Sequence, residues 1–188
     1  MLPLPNIIVL VALSCVGLSL ILSFARIAIK GGSLVGKPSA NSLLFYSVKL
    51  SIFISIGLFL GKAIFPSFGG VYVPEWMAWL GAGMVTAGSF ILVLSFFSLS
   101  SALKYGLPEE NTQLKTTGLF RFSRNPLYVG LFLVNIASAI FFPAILNILV
   151  SAYCILIHLI LIRGEEKFLE ERFGVDWIAY KKRVRRFI

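Results

Sequence analysis

Five apolar stretches, roughly residues 6–29, 43–65, 76–103, 127–142 and 143–162, take up most of this 188-residue chain. A helix needs ~20 mostly apolar residues to cross a bilayer, and in lipid each backbone N–H and C=O must find its partner within the protein. The recurrence therefore predicts an all-α polytopic membrane protein of about five transmembrane helices. A mean hydropathy of +0.92 with 58% apolar residues excludes an ordinary soluble domain. The first stretch follows no basic segment and precedes no small-residue cleavage site, so it reads as a retained helix rather than a signal peptide. Cys15 and Cys154 lie in apolar stretches without metal-ligand spacing, which argues against a disulfide framework or a zinc site.

Residues 127–162 carry no charge and have room for one long helix or two short spans. Pro143 removes a helix hydrogen bond and disfavours helix at Phe142, and with Asn147 nearby it points to a tight hairpin. The basic residues support the hairpin independently. Five alternating helices place sixteen of the seventeen lysines and arginines on one face and leave Lys62 alone on the other, whereas merging the last two spans divides them. The positive-inside bias then sets the N-terminus outside, and the connection around residues 104–125 and the tail in the cytoplasm. It also explains the formal charge of +9 without nucleic acid.

Residues 1–103 read as an N-terminal three-helix region, with a flexible turn around residues 31–39, and residues 104–188 as a unit of loop, hairpin and tail. Beyond Gly164, strong helix formers carry Phe168, Leu169 and Phe173, then Gly174 intervenes, and Trp177, Tyr180 and Val184 follow at helical spacing. The expectation is an amphipathic helix, a turn and a second short helix on the inner face.

Two motifs invite chemistry. In the first, residues 117–130, Asn125 reads as the cap of the fourth helix, Pro126 as its first residue, and Arg121 and Arg124 as interfacial anchors. The same corner also offers free backbone N–H groups beside an arginine, a place to hold a carboxylate. In the second, Glu165 and Glu166 end the uncharged hairpin. They either begin a solvated interfacial helix, where acids suit the dipole, or are kept at membrane depth for a partner. Adjacent helical residues point about 100° apart, so the two acids are expected to have different jobs. The hairpin leaves the inner surface and returns to it, bringing Arg124, Asn125 and Tyr128 close to the acidic pair. This predicts a pocket at the membrane surface, suited to a polar cofactor meeting a lipid-like substrate.

Gly118, Phe120, Arg124, Asn125, Pro126, Tyr128 and Gly130, followed across the hairpin by Glu165, Glu166, Leu169, Phe173, Gly174, Trp177, Tyr180 and Val184, form an ordered pattern. It resembles that of the isoprenylcysteine carboxyl methyltransferase and phospholipid methyltransferase superfamily. The resemblance covers about residues 114–188 and implies methyl transfer from S-adenosylmethionine to a membrane lipid or prenylcysteine-type acceptor, with carboxyl O-methylation favoured and no metal. It implies Arg124 and Glu165 as catalytic residues, with Arg124 facing a carboxylate of cofactor or substrate. Leu114, Thr117, Gly118, Leu119, Phe120, Asn125, Tyr128, Glu165 and Glu166 are implied as cofactor-binding. Asn125 stands where many carboxyl methyltransferases of this group carry histidine, and Arg163 does not match the spacing of the arginine that eukaryotic members place before the acids. Gly81-Ala82-Gly83 echoes a glycine motif of the phospholipid enzymes or serves helix packing.

Two rival readings remain. One is a membrane reductase that binds a nicotinamide dinucleotide, since sterol reductases share a similar C-terminal region; the other is a non-catalytic scaffold. Among other residues, His158 reads as a packing partner, Lys49 as a lysine that snorkels to the inner interface, and the tail cations as anchors to anionic lipid headgroups.

Overall fold

The computed structural model of the chain describes residues 1–29, 42–99 and 114–188. Among these residues there are six α-helices: α1 Leu4–Ile29, α2 Ser42–Ile64, α3 Glu75–Leu99, α4 Pro126–Phe141, α5 Ile145–Phe173 and α6 Val175–Arg183. The protein is an all-α polytopic membrane protein. Helices α1, α2, α3 and α5 are long and apolar enough to cross a bilayer, and α4 is a shorter apolar helix of 16 residues. Lipid-facing side chains such as Leu18, Ile21, Phe53 and Phe90 stay exposed, as they must when the solvent is hydrocarbon. The turn at residues 31–39, the end of the third apolar stretch and the expected boundary at residue 103 lie outside the described residues.

Helix α3 packs most extensively on α4 and next on α1, while α2 packs mainly on α5. Small residues make the first contact close. A Cβ on Gly130 would meet the carbonyl oxygen of Gly88 at 2.9 Å, and one on Gly81 would meet the Cβ of Phe141 at 2.9 Å. Gly81 thus serves the packing of α3 on α4, the alternative that small residues at membrane helix interfaces suggest. Across α2, α4 and α5, where the hydrophobic effect supplies little drive, Ser55 meets Ser151 at 3.2 Å and Ser138 meets Asn147 at 3.2 Å.

The expected hairpin is present. Helix α4 ends at Phe141, and Asn147 Nδ2 donates to the carbonyls of Ser138 and Phe142 at 2.9 Å each, supplying donors to the end of that helix. The fifth helix departs from expectation. It does not stop near residue 162 for a separate interfacial helix to begin; it runs unbroken through Gly164 and the acidic pair to Phe173. One glycine in a helix costs only about 1 kcal/mol, too little to break a segment flanked by good helix formers. Glu165 and Glu166 are therefore interior helical residues, and the helix-start reading does not hold. The expected turn falls at Gly174, with φ of +49°, and α6 follows.

Candidate functional site

Pro126 opens α4 with its fixed φ, and this places Arg124 and Asn125 at the helix entrance, opposite the stretch of α5 that carries the acids. Arg124 donates from Nε and Nη2 to Glu166 Oε1, both at 3.1 Å, and from Nη1 to the carbonyls of Val184 at 2.7 Å and Lys181 at 3.2 Å. Asn125 sits at the cap position, but its side chain does not cap. It donates instead to Glu166 Oε1 at 3.2 Å and to the Arg186 carbonyl at 3.1 Å. The other oxygen of Glu166 accepts from Arg186 Nε at 3.0 Å and Nη2 at 2.7 Å. Both oxygens of the buried Glu166 are thus engaged, and the carboxylate that faces Arg124 is the protein's own. A charge removed from water needs this degree of pairing.

Residues 184–187 return along the loop that precedes α4. The Arg124 N–H donates to the Arg185 carbonyl at 2.9 Å, Ser123 Oγ donates to the Arg186 carbonyl at 3.3 Å, and Phe187 packs on Phe132 with ring centroids 6.0 Å apart. Tyr180, on α6, donates its hydroxyl to the Phe120 carbonyl at 2.7 Å. Burial pushes the pKa of that hydroxyl up to about 12, with Arg124 lowering it and Glu166 raising it by smaller amounts, so it stays a donor. The buried Trp177 lies under Arg124, whose guanidinium carbon is 5.8 Å from the ring centroid.

Glu165 points elsewhere, as the 100° step between neighbours requires. Its Oε1 accepts from the Tyr128 hydroxyl at 2.8 Å. The Tyr128 ring stands between His158, at 5.4 Å, and Phe132, at 6.4 Å, giving this half-buried acid an aromatic wall. Lys49 on α2 is half-buried, with its ammonium 5.1 Å from the Phe45 ring centroid. His158 Nδ1 lies 2.7 Å from the Cys154 carbonyl, a contact within α5 rather than with another helix.

The structure thus brings Arg124, Asn125, Tyr128, Glu165 and Glu166 together. In the preceding loop, Leu114 and Leu119 are half-buried, Thr117 and Gly118 are exposed, and Phe120 is buried with its carbonyl taken by Tyr180. Gly118 has φ of +66°, a backbone conformation that favours glycine. Arg124 and Asn125 join this loop to the acidic pair. Sequence reasoning missed Arg186, which it grouped with the lipid anchors. Arg186 lies two residues beyond the Val184 that closes the pattern, and only this faint signal marks it.

A family model for phospholipid methyltransferases matches residues 76–176, more than half of the chain. The chain belongs to the phospholipid methyltransferase family. Membership makes it an integral membrane protein of a methyltransferase family and favours methyl transfer over the reductase and scaffold readings. No curated protein matches the chain. The matched residues include Arg124, Asn125, Tyr128 and both acids, and they end before Trp177, Tyr180 and Arg186.

Proposed function

We propose that the protein is an S-adenosylmethionine-dependent methyltransferase acting on a lipid-like acceptor at the cytoplasmic membrane surface, the side on which the positive-inside bias sets its basic end. The observation that carries this reading is the division of labour between the acids: Glu166 is closed off by Arg124, Asn125 and Arg186, while Glu165 meets Tyr128 beside an aromatic wall. The acceptor fits the cofactor, whose ammonium and ribose hydroxyls donate and call for a carboxylate. Glu165 would hold that end, and backbone groups of Leu114, Thr117, Gly118 and Leu119 would hold the other. When bound, the cofactor supplies an electrophilic methyl group on a sulfonium.

Transfer from a sulfonium needs in-line alignment more than a strong acid or base. Tyr128 would orient Glu165, and the rings of Tyr128, Phe132 and Phe187 would exclude water beside it. Arg124, first expected to be catalytic, is better suited to positioning the site through Glu166, with Asn125 alongside it and Phe120 anchoring the loop. A carboxylate acceptor remains favoured, because it attacks without first losing a proton. The family's description supports a phospholipid headgroup as a second reading.

The test is calorimetric binding of S-adenosylhomocysteine to purified protein in detergent. Saturable micromolar-range binding is expected, weakened more than about tenfold by Glu165→Gln, because hydrogen bonds to charged groups contribute ~1.5–3 kcal/mol. Binding of a reduced nicotinamide dinucleotide instead would overturn the reading. Transfer of a labelled methyl group then separates the acceptors: an ester label is released by base, whereas a label on a headgroup nitrogen is retained.

A further inference from the structure

We propose that Arg186 is a positioning residue for this site: by engaging the second oxygen of Glu166 it fixes the rotation of α5, and with it the place of Glu165 beside Tyr128. The inference rests on the functional reading above for its effect on binding, and on geometry alone for its effect on position.

Arg124 and Asn125 both approach Glu166 Oε1 from the entrance of α4, so they restrain the acid from one side only. Oε2 is held by Arg186, twice, at 3.0 and 2.7 Å. That arginine is itself placed by main-chain contacts: the Arg124 N–H on the Arg185 carbonyl, and the Ser123 hydroxyl and Asn125 amide on the Arg186 carbonyl. Glu166 therefore lies between two arginines that belong to segments about 60 residues apart in sequence, one before α4 and one after α6. A residue and its neighbour on one helix rotate together, so a restraint on Glu166 is a restraint on Glu165. Lys181, Lys182, Arg183 and Arg185 share the charge of Arg186 but are exposed, and Glu166 takes its ion pairs from Arg124 and Arg186. The role depends on geometry and not on bulk positive charge.

Two measurements test it. First, Arg186→Ala is expected to weaken S-adenosylhomocysteine binding about tenfold, Arg186→Lys to recover most of the loss, and Lys182→Ala, which removes the same charge, to change nothing. In a Glu166→Gln background, Arg186→Ala should add little further loss, since both act through one contact. Equal losses in Arg186→Ala and Lys182→Ala, or unchanged binding in Arg186→Ala, would overturn the proposal. Second, Tyr128→Cys and Glu165→Cys, in a protein lacking Cys15 and Cys154, should be joined rapidly by a short bifunctional thiol reagent, and several-fold more slowly once Arg186→Ala is added. An unchanged rate would also overturn it. If the unaltered protein binds no S-adenosylhomocysteine, the functional reading fails, and the crosslinking rate still decides the role of Arg186.

Discussion

At one end of the bundle an acid, Glu166, is enclosed by Arg124, Asn125 and Arg186, and at the other a base, Lys62, is enclosed by the carbonyls of Pro66, Phe68 and Val71 at 2.6, 3.4 and 2.7 Å. Both are buried. The difference lies in where the partners come from. The carbonyls that accept from Lys62 follow it by four to nine residues, so its hydrogen bonds knot a local turn, which is tied to the bundle by Asn6, donating to the Ala63 carbonyl at 3.0 Å, and by the Phe142 ring, whose centroid lies 5.7 Å from the ammonium. The partners of Glu166 are 20 to 42 residues away, so it closes only when the hairpin, the loop and the returning segment meet. The acid end is assembled by tertiary contact and reports on the whole fold. The hydrogen bonds of the lysine end are local and shape a turn.

That contrast can be broken most forcefully at Glu166. Replacing it by leucine strands the guanidinium of Arg124, whose side chain is 7% exposed, and losing one partner of a buried pair costs ~3–5 kcal/mol. Thermal unfolding in detergent should show the largest drop here, with S-adenosylhomocysteine binding lost as well. Lys62→Met should cost less, about 1 kcal/mol, because Pro66 and Phe68 are exposed and water can take up their carbonyls. Unfolding would register that loss while binding remained unchanged; an effect on binding would mean that the two ends are coupled. The smallest effect is expected at Lys181, whose 3.0 Å pair with Glu170 is about half exposed on both sides. Lys181→Ala should shift stability by less than ~1 kcal/mol, and progressively less as salt is added.

Much of the architecture was legible because hydropathy marks where a chain enters and leaves lipid. Four of the five expected stretches fall within a few residues of α1, α2, α3 and α4 wherever the chain is described, and Pro143 with Asn147 located the hairpin. The end of α5 was not legible. Hydropathy stops at Ile162, but the helix is free to continue in water, and Gly164 costs it too little to end it there. At the site, topology alone brought Arg124 to the acids, and helical geometry alone separated Glu165 from Glu166. The choice of Arg186 among eight tail cations depends on the return of residues 184–187 beside Ser123, a long-range pairing that no local pattern encodes.

The continuity of α5 has a consequence for where the chemistry sits. Twenty residues separate Ile145 from Glu165, and at the rise of an α-helix that is ~30 Å, about the thickness of a bilayer's hydrocarbon. An uninterrupted helix acts as a ruler planted at the far surface, and the acid pair is its upper mark. The bilayer, rather than any loop, thus gauges the height of Glu165, and a thicker or thinner membrane would lower or raise that mark against its own surface.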